Sequence, residues 1–189
     1  MSTCVPWHFG WSGPSDLHYT DVALVTYDGT RFPAHQVVLA SRSPVLDKLF
    51  KSQWFAGTDL PVAVDASVTA VESFLRFLYT NSFTSGHAYT NNLTGVLCLA
   101  HYYEVEELLR LCGQELLKEL SKETVAGMVG TVRGLRQYDE AVGGKSATVT
   151  ALRTIWKELV RSLQRDKSVL ETFMDSCPLM RRDDRMQQR

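Results

Sequence analysis

At 189 residues the chain has the length of one domain, or of one domain with a small extension. Its composition, 44% hydrophobic and 22% charged, is that of a soluble globular protein able to bury a core without staples or metals. A net charge of −1 gives no field that would steer the molecule to nucleic acid or a membrane surface, and four scattered cysteines support neither a disulfide framework nor a zinc site.

Residues 1–15 place Trp7, Phe9 and Trp11 among Gly, Pro and Ser, which reads as a flexible leader with sticky aromatics. No basic region followed by an apolar run opens the chain, and no stretch approaches the length of a membrane span. Together with the free thiols this sets the expectation of a reducing compartment, cytoplasmic or nuclear. From Asp21 to Tyr27 the run is apolar and β-branched, and Asp28-Gly29 then predicts a hairpin into a short antiparallel strand over Thr30–Ala34.

Ser43-Pro44 is an N-cap followed by proline at the first helical position, and Val45, Leu46, Leu49 and Phe50 follow at helical spacing. Leu60–Asp65 predicts a third strand, with Pro61 at its start or on an edge. Ser67 caps a helix to Tyr79, and a short strand is expected near Thr80–Thr84. Helices are predicted over Asn92–Tyr103 and Glu104–Leu120. Acidic Glu106 and Glu107 at the start of the second, and Lys118 at its end, suit the helix dipole.

The remainder reads as helical. A segment from Ser121 to about Gln137 carries Gly127, Gly130 and Gly134, whose spacing suggests a close helix–helix approach. A Gly-rich break over Ala141–Ser146 precedes the clearest amphipathic helix, with Leu152, Ile155, Trp156, Leu159, Val160 and Leu163 on one face. Ser168-Val169-Leu170-Glu171 is a capping box opening a last short helix, and residues 176–189 form a charged tail. A small sheet with many helices makes the fold class α+β.

Three decoys fail on their own residues. Gly144-Lys145-Ser146 mimics the end of a phosphate loop, but Asp139 stands where the pattern needs glycine. Gly127-Met128-Val129-Gly130 has an apolar middle pair unsuited to clamping RNA. His101 with Glu104, Glu106 and Glu107 spans a helix–turn–helix on which the side chains diverge, so no metal or acid–base cluster is expected. No catalytic residue, cofactor or metal site is assigned.

At this point the residues resemble a known family. Asp21-Val22 opening a strand, Phe32-Pro33-Ala34-His35 closing the next, Val38-Leu39-Ala40 leading into Ser43, Leu49-Phe50, and the helix end Phe74-Leu75-Arg76-Phe77-Leu78-Tyr79-Thr80 are similar to a BTB/POZ domain over residues 16–120. Leu97–Val105 and Leu108-x-x-x-Cys112 continue the resemblance. Residues 121–175 resemble, more faintly, the helical BACK extension that follows many such domains.

The resemblance implies a small mixed sheet flanked by helical hairpins, followed by an all-helical extension. It also implies an adaptor that binds proteins, self-associates as a homodimer and engages a cullin of a ubiquitin ligase, or else scaffolds transcriptional assemblies without one. By the same resemblance Val37, Val38 and Leu39 fall at the dimer interface. Trp54, Phe55, Tyr103, Leu46 and Phe50 fall at the partner surface. The family's cullin motif, hydrophobic–any–Glu, reads Trp54-Phe55-Ala56 here, so the anchor is present and the Glu is absent. Two adjacent aromatics in a loop do not both turn inward easily, which leaves one for a partner. Asp21 and His35 are expected to be structural, bonding backbone or each other. Gln36 stands where several family members carry a basic residue.

Overall fold

A computed structural model describes residues 19–53, 60–83, 90–119, 124–143, 147–165, 168, 169 and 171. The β-branched run Val22–Thr26 forms β1, and Arg31–Ala34 returns beside it as β2, with Val22 opposite Ala34 and Val25 opposite Arg31. The reversal is built locally. Gly29 takes a φ of +86°, a region that costs glycine nothing, and donates to the Thr26 carbonyl at 2.9 Å. Asp28 accepts from the Thr30 amide and the Thr26 hydroxyl, which holds its carboxyl below the usual aspartate value.

Leu60–Val64 forms β3, parallel to β1 in the register Val22 opposite Leu60. The sheet order is β2-β1-β3, mixed and three-stranded. The central strand is buried along nearly its whole length, whereas Pro61 and Ala63 of β3, and Asp65 just after it, are exposed.

Helices cover the sheet in chain order. Gln36–Arg42 is α1 and Pro44–Gln53 is α2. Ser43, fully buried between them, caps α2 as expected, its Oγ accepting from the Leu46 amide at 3.1 Å. Val68–Thr80 is α3, capped by Ser67, whose Oγ accepts from Ala70 N. Its Val71, Phe74, Leu75, Phe77 and Leu78 are inaccessible to solvent and form the centre of the core. Each such side chain contributes about 1.5–3 kcal/mol relative to exposure.

The strand expected near residues 80–84 does not form over the described part. Thr80 is the last residue of α3, Asn81 turns the chain through a left-handed conformation, and 81–83 pair with no strand. Arg42 holds that turn by donating to the Leu78 carbonyl and to Asn81 Oδ1. Position 84 lies outside the described residues.

Thr90–Tyr102 is α4 and Glu106–Lys118 is α5, shorter at its start than expected. The reason is a C-cap at the end of α4. Glu104 is left-handed with φ +55°, Glu104 N donates to His101 O, and Val105 N donates to Ala100 O, so the last carbonyls of α4 are satisfied by the turn itself.

Val125–Val142 is α6 and Ala147–Arg165 is α7. The first overruns the expected break by two residues and stops where Gly143 adopts φ +68°. Helix α5 packs between α4 and α7, and α6 lies against α7 and α4.

The glycines of α6 correct one expectation. A Cβ at Gly127, Gly130 or Gly134 would meet nothing within 4 Å, so no close helix approach occurs there. It occurs instead at Gly113 of α5, where a Cβ would lie 2.4 Å from Ile155 of α7. Ser168, Val169 and Glu171 are helical, consistent with a helix opening at the capping box.

Candidate functional site: an aromatic-walled trough beside the sheet edge

Two adjoining cavities, about 490 and 260 Å³, run along β3 and share Ala63, Tyr102 and Tyr103. The smaller is closed by Val45 and Leu49 of α2, the larger by Leu135 and Tyr138 of α6. The result is one apolar trough between the sheet edge, α2, the end of α4 and the helical extension.

Its position follows from the turn after α4. Ser43 Oγ donates to the Tyr103 carbonyl at 2.6 Å, tying the start of α2 to that turn. Tyr103 is buried with its ring 5.4 Å from Phe74, and burial pushes its phenol up to about 12. Tyr102, one residue earlier, is 63% exposed and stands edge-on to Tyr103 at 5.0 Å. The left-handed Glu104 follows directly after this pair, of which Tyr103 is buried and Tyr102 exposed, and both line the trough.

At the far end of the trough, His101 Nε2 lies 2.9 Å from Asp139 Oδ1, and both side chains are buried. Among the described residues Asp139 Oδ2 is buried without a hydrogen-bond partner, and the Tyr138 ring meets His101 edge-on at 6.5 Å. Sequence reasoning missed this pair, because 38 residues separate its members.

The expected site residues distribute unevenly. Trp54 and Phe55 lie outside the described residues, as does Ala56. Leu46 and Phe50 are core residues with at most 4% exposure, so they carry α2 rather than face a partner, and their neighbours Val45 and Leu49 reach the trough instead. Of the dimer-interface trio, Val37 is 74% exposed, Val38 is half-buried and Leu39 is fully buried. Only the first two have surface to offer a second copy.

Asp21 Oδ1 accepts from the Gln36 amide at 2.7 Å, a carboxylate placed at the N-terminus of α1, and Gln36 Nε2 donates back to the Asp21 carbonyl. His35 bonds Tyr79. Its amide donates to the Tyr79 hydroxyl at 2.8 Å, and its Nδ1 lies 2.9 Å from the same oxygen.

Burial raises the thiols of Cys98 and Cys112 above the usual cysteine value, which keeps both protonated. Among the described residues no group of three His, Cys, Asp or Glu is placed to hold a metal ion, and no helix is long and apolar enough to cross a membrane.

The chain is 32% identical over 119 residues to BTB/POZ and TAZ domain-containing protein 2 of Arabidopsis thaliana, covering 60% of this chain and 32% of that protein. It is 30% identical over 120 residues to BTB/POZ and MATH domain-containing protein 3 of the same plant, covering 56% and 28%. To Kelch-like protein 7 of Gallus gallus it is 28% identical over 109 residues, covering 57% and 18%. Among solved structures it is similar to the BTB domain of zebrafish PATZ1, with 23% identity, 56% and 80% coverage and a TM-score of 0.43. The chain thus spans about a third or less of the curated relatives it matches. Residues 14–120, more than half of the chain, match the BTB/POZ domain family, a family of protein–protein interaction modules, and it is to this family that the chain belongs.

Proposed function

We propose that this chain is a homodimerising adaptor that presents the trough at Tyr102 and Tyr103 to a cullin, and so brings a substrate to a ubiquitin ligase. The observation that carries the reading is the trough itself, an apolar groove with an exposed tyrosine on its rim, bounded by β3 and following directly on the Trp54-Phe55 segment in sequence. Exposed aromatics around a desolvated pocket are the usual anchors of a protein interface. Self-association would use Val37 and Val38. Within the same proposal residues 121–175 serve as a BACK-like extension, and the protein works in the cytoplasm or nucleus.

A second reading is favoured by Ala56. The missing carboxylate removes a charge-assisted contact worth about 1–3 kcal/mol, enough to lose a modest interface. In that reading the chain is a homo-oligomerising scaffold that does not touch a cullin.

Titration with a purified cullin N-terminal domain separates the two. The adaptor reading expects binding that Trp54→Ala abolishes and Ala56→Glu strengthens. Absence of binding by both the native chain and Ala56→Glu overturns it. Sedimentation equilibrium at tens of micromolar tests the dimer, which Val37→Glu should dissociate. A native chain that sediments as a monomer overturns that part.

A further inference from the structure

We propose that the larger cavity of the trough receives an arginine side chain of a partner protein, held between Tyr102 and Tyr138 with its guanidinium on Asp65. The inference rests on the reading of the trough as a partner surface, and it names the chemistry of the segment that fills it.

Three elements build the cavity. Asp65 follows β3 directly and is exposed. His101 and Tyr102 end α4, and Leu135 and Tyr138 stand three residues apart on α6, which puts them on one face of that helix. Tyr102 and Tyr138 keep 63% and 57% of their surface open while lining a space of about 490 Å³.

The charge of the lining has one sign. Among the described residues Asp65 is the only carboxylate that lines either cavity, and no lysine or arginine lines them. No described residue forms an ion pair with Asp65. Arg136, next to Leu135 on α6, is committed elsewhere, 2.9 Å from Glu140 and over the Trp156 ring. A second carboxylate stands behind the wall, where Asp139 Oδ1 lies 2.9 Å from His101 Nε2 and, among the described residues, meets no lysine or arginine. An uncharged segment would take water from Asp65 and return no hydrogen bond, and an acidic one would be repelled. The cavity therefore suits a cation.

The rings select which cation. A tyrosine face attracts a positive charge within about 6 Å of its centroid. The guanidinium is planar, stacks on such faces and offers a carboxylate two parallel N–H donors, whereas an ammonium is a strongly hydrated point charge. The chain itself uses arginine in this way, since Arg136 meets a carboxylate and an aromatic face at once. The adjoining smaller cavity, with Val45, Leu49, Pro61 and Val62 in its wall and no charged residue among the described ones, suits an aliphatic neighbour of that arginine.

The experiment is selection of a random linear peptide library on the full chain, followed by titration of the synthetic binders. Selected peptides should share an arginine. Replacing it by citrulline, its uncharged isostere, should weaken binding at least about tenfold, and replacing it by lysine about fivefold. Asp65→Asn and Tyr102→Ala, both at exposed positions, should each weaken binding at least about fivefold with the thermal midpoint unchanged. Failure to select any binder overturns the proposal, as do peptides that share only apolar residues, or affinities indifferent to both substitutions. So does binding lost as the chain's own concentration rises, which would place a second copy in the cavity. Because no cullin is present, failure here leaves the adaptor reading to its own titration, and a failed cullin titration leaves this site to be judged by its peptides.

Discussion

One phenolic oxygen, that of Tyr79, serves two nitrogens of His35, and so joins the end of α3 to the junction of β2 and α1. Replacing the residue by phenylalanine leaves the His35 amide without that acceptor, an omission that costs about 1–3 kcal/mol. Burial is the first cause that pushes this phenol up to about 12, with the Asp21 carboxylate adding to it against the lowering hydrogen bond from His35. Tyr103 is raised similarly by burial. The sign of the linkage is fixed by those directions. Below the ordinary tyrosine value of 10.0 both folded and unfolded chains hold the proton, and stability is full. As pH climbs from there toward about 12 the unfolded chain ionises first and stability is lost. Urea midpoints should therefore fall between about pH 9 and pH 11.5. Tyr79→Phe should start lower but fall less over the same interval, and an undiminished fall would show that Tyr79 is not the titrating group.

At the scale of elements, the helical extension is positioned by one glycine and tolerates three others. An alanine Cβ at Gly113 would land 2.4 Å from Ile155 Cγ1, so the Ile155 side chain or the helices α5 and α7 would have to shift. Overpacking of this kind costs about 1–3 kcal/mol, against about 1 kcal/mol of helix propensity gained. Gly113→Ala should destabilise the native chain, yet stabilise an Ile155→Ala background by about 1 kcal/mol because the clash has gone. Gly130→Ala meets open space, so it should raise stability by a similar amount. Denaturant titration of these variants checks all three signs.

The same helices show what the sequence could and could not disclose. Periodicity and caps located nearly every element, since Ser43-Pro44, Ser67 and Asp28-Gly29 act within a few residues of themselves. It did not choose between Gly113 and the α6 glycines, because close approach depends on which face another helix covers. In α2 the stripe Val45, Leu46, Leu49, Phe50 contains both a core half and a trough half. All four are apolar, so only packing divides them. Tyr102 is exposed and Tyr103 buried at a helix end that a left-handed glutamate closes, a conformation that a sequence seldom advertises.

For the molecule as a whole, the decisive feature is the seam between the family domain, residues 14–120, and the helices that follow it. His101 at the end of α4 and Asp139 on α6 meet across that seam, 7% and 9% exposed, with one carboxylate oxygen unsatisfied among the described residues. A buried hydrogen bond of this kind contributes about 0.5–1.5 kcal/mol, but removing one partner alone leaves the other without it at a cost of about 1–3 kcal/mol. Asp139→Ala should therefore loosen α6 specifically, with amide exchange there rising well above that of α3, because a local opening need not unfold the core. His101→Leu/Asp139→Leu should restore protection to within about 1 kcal/mol of the native chain. If α3 and α6 lose protection together in Asp139→Ala, the extension and the BTB/POZ domain open as one unit. The pair would then hold the core rather than the far wall of the trough. If only α6 responds, Leu135 and Tyr138 move with it, and the shape of the trough depends on how the extension is docked.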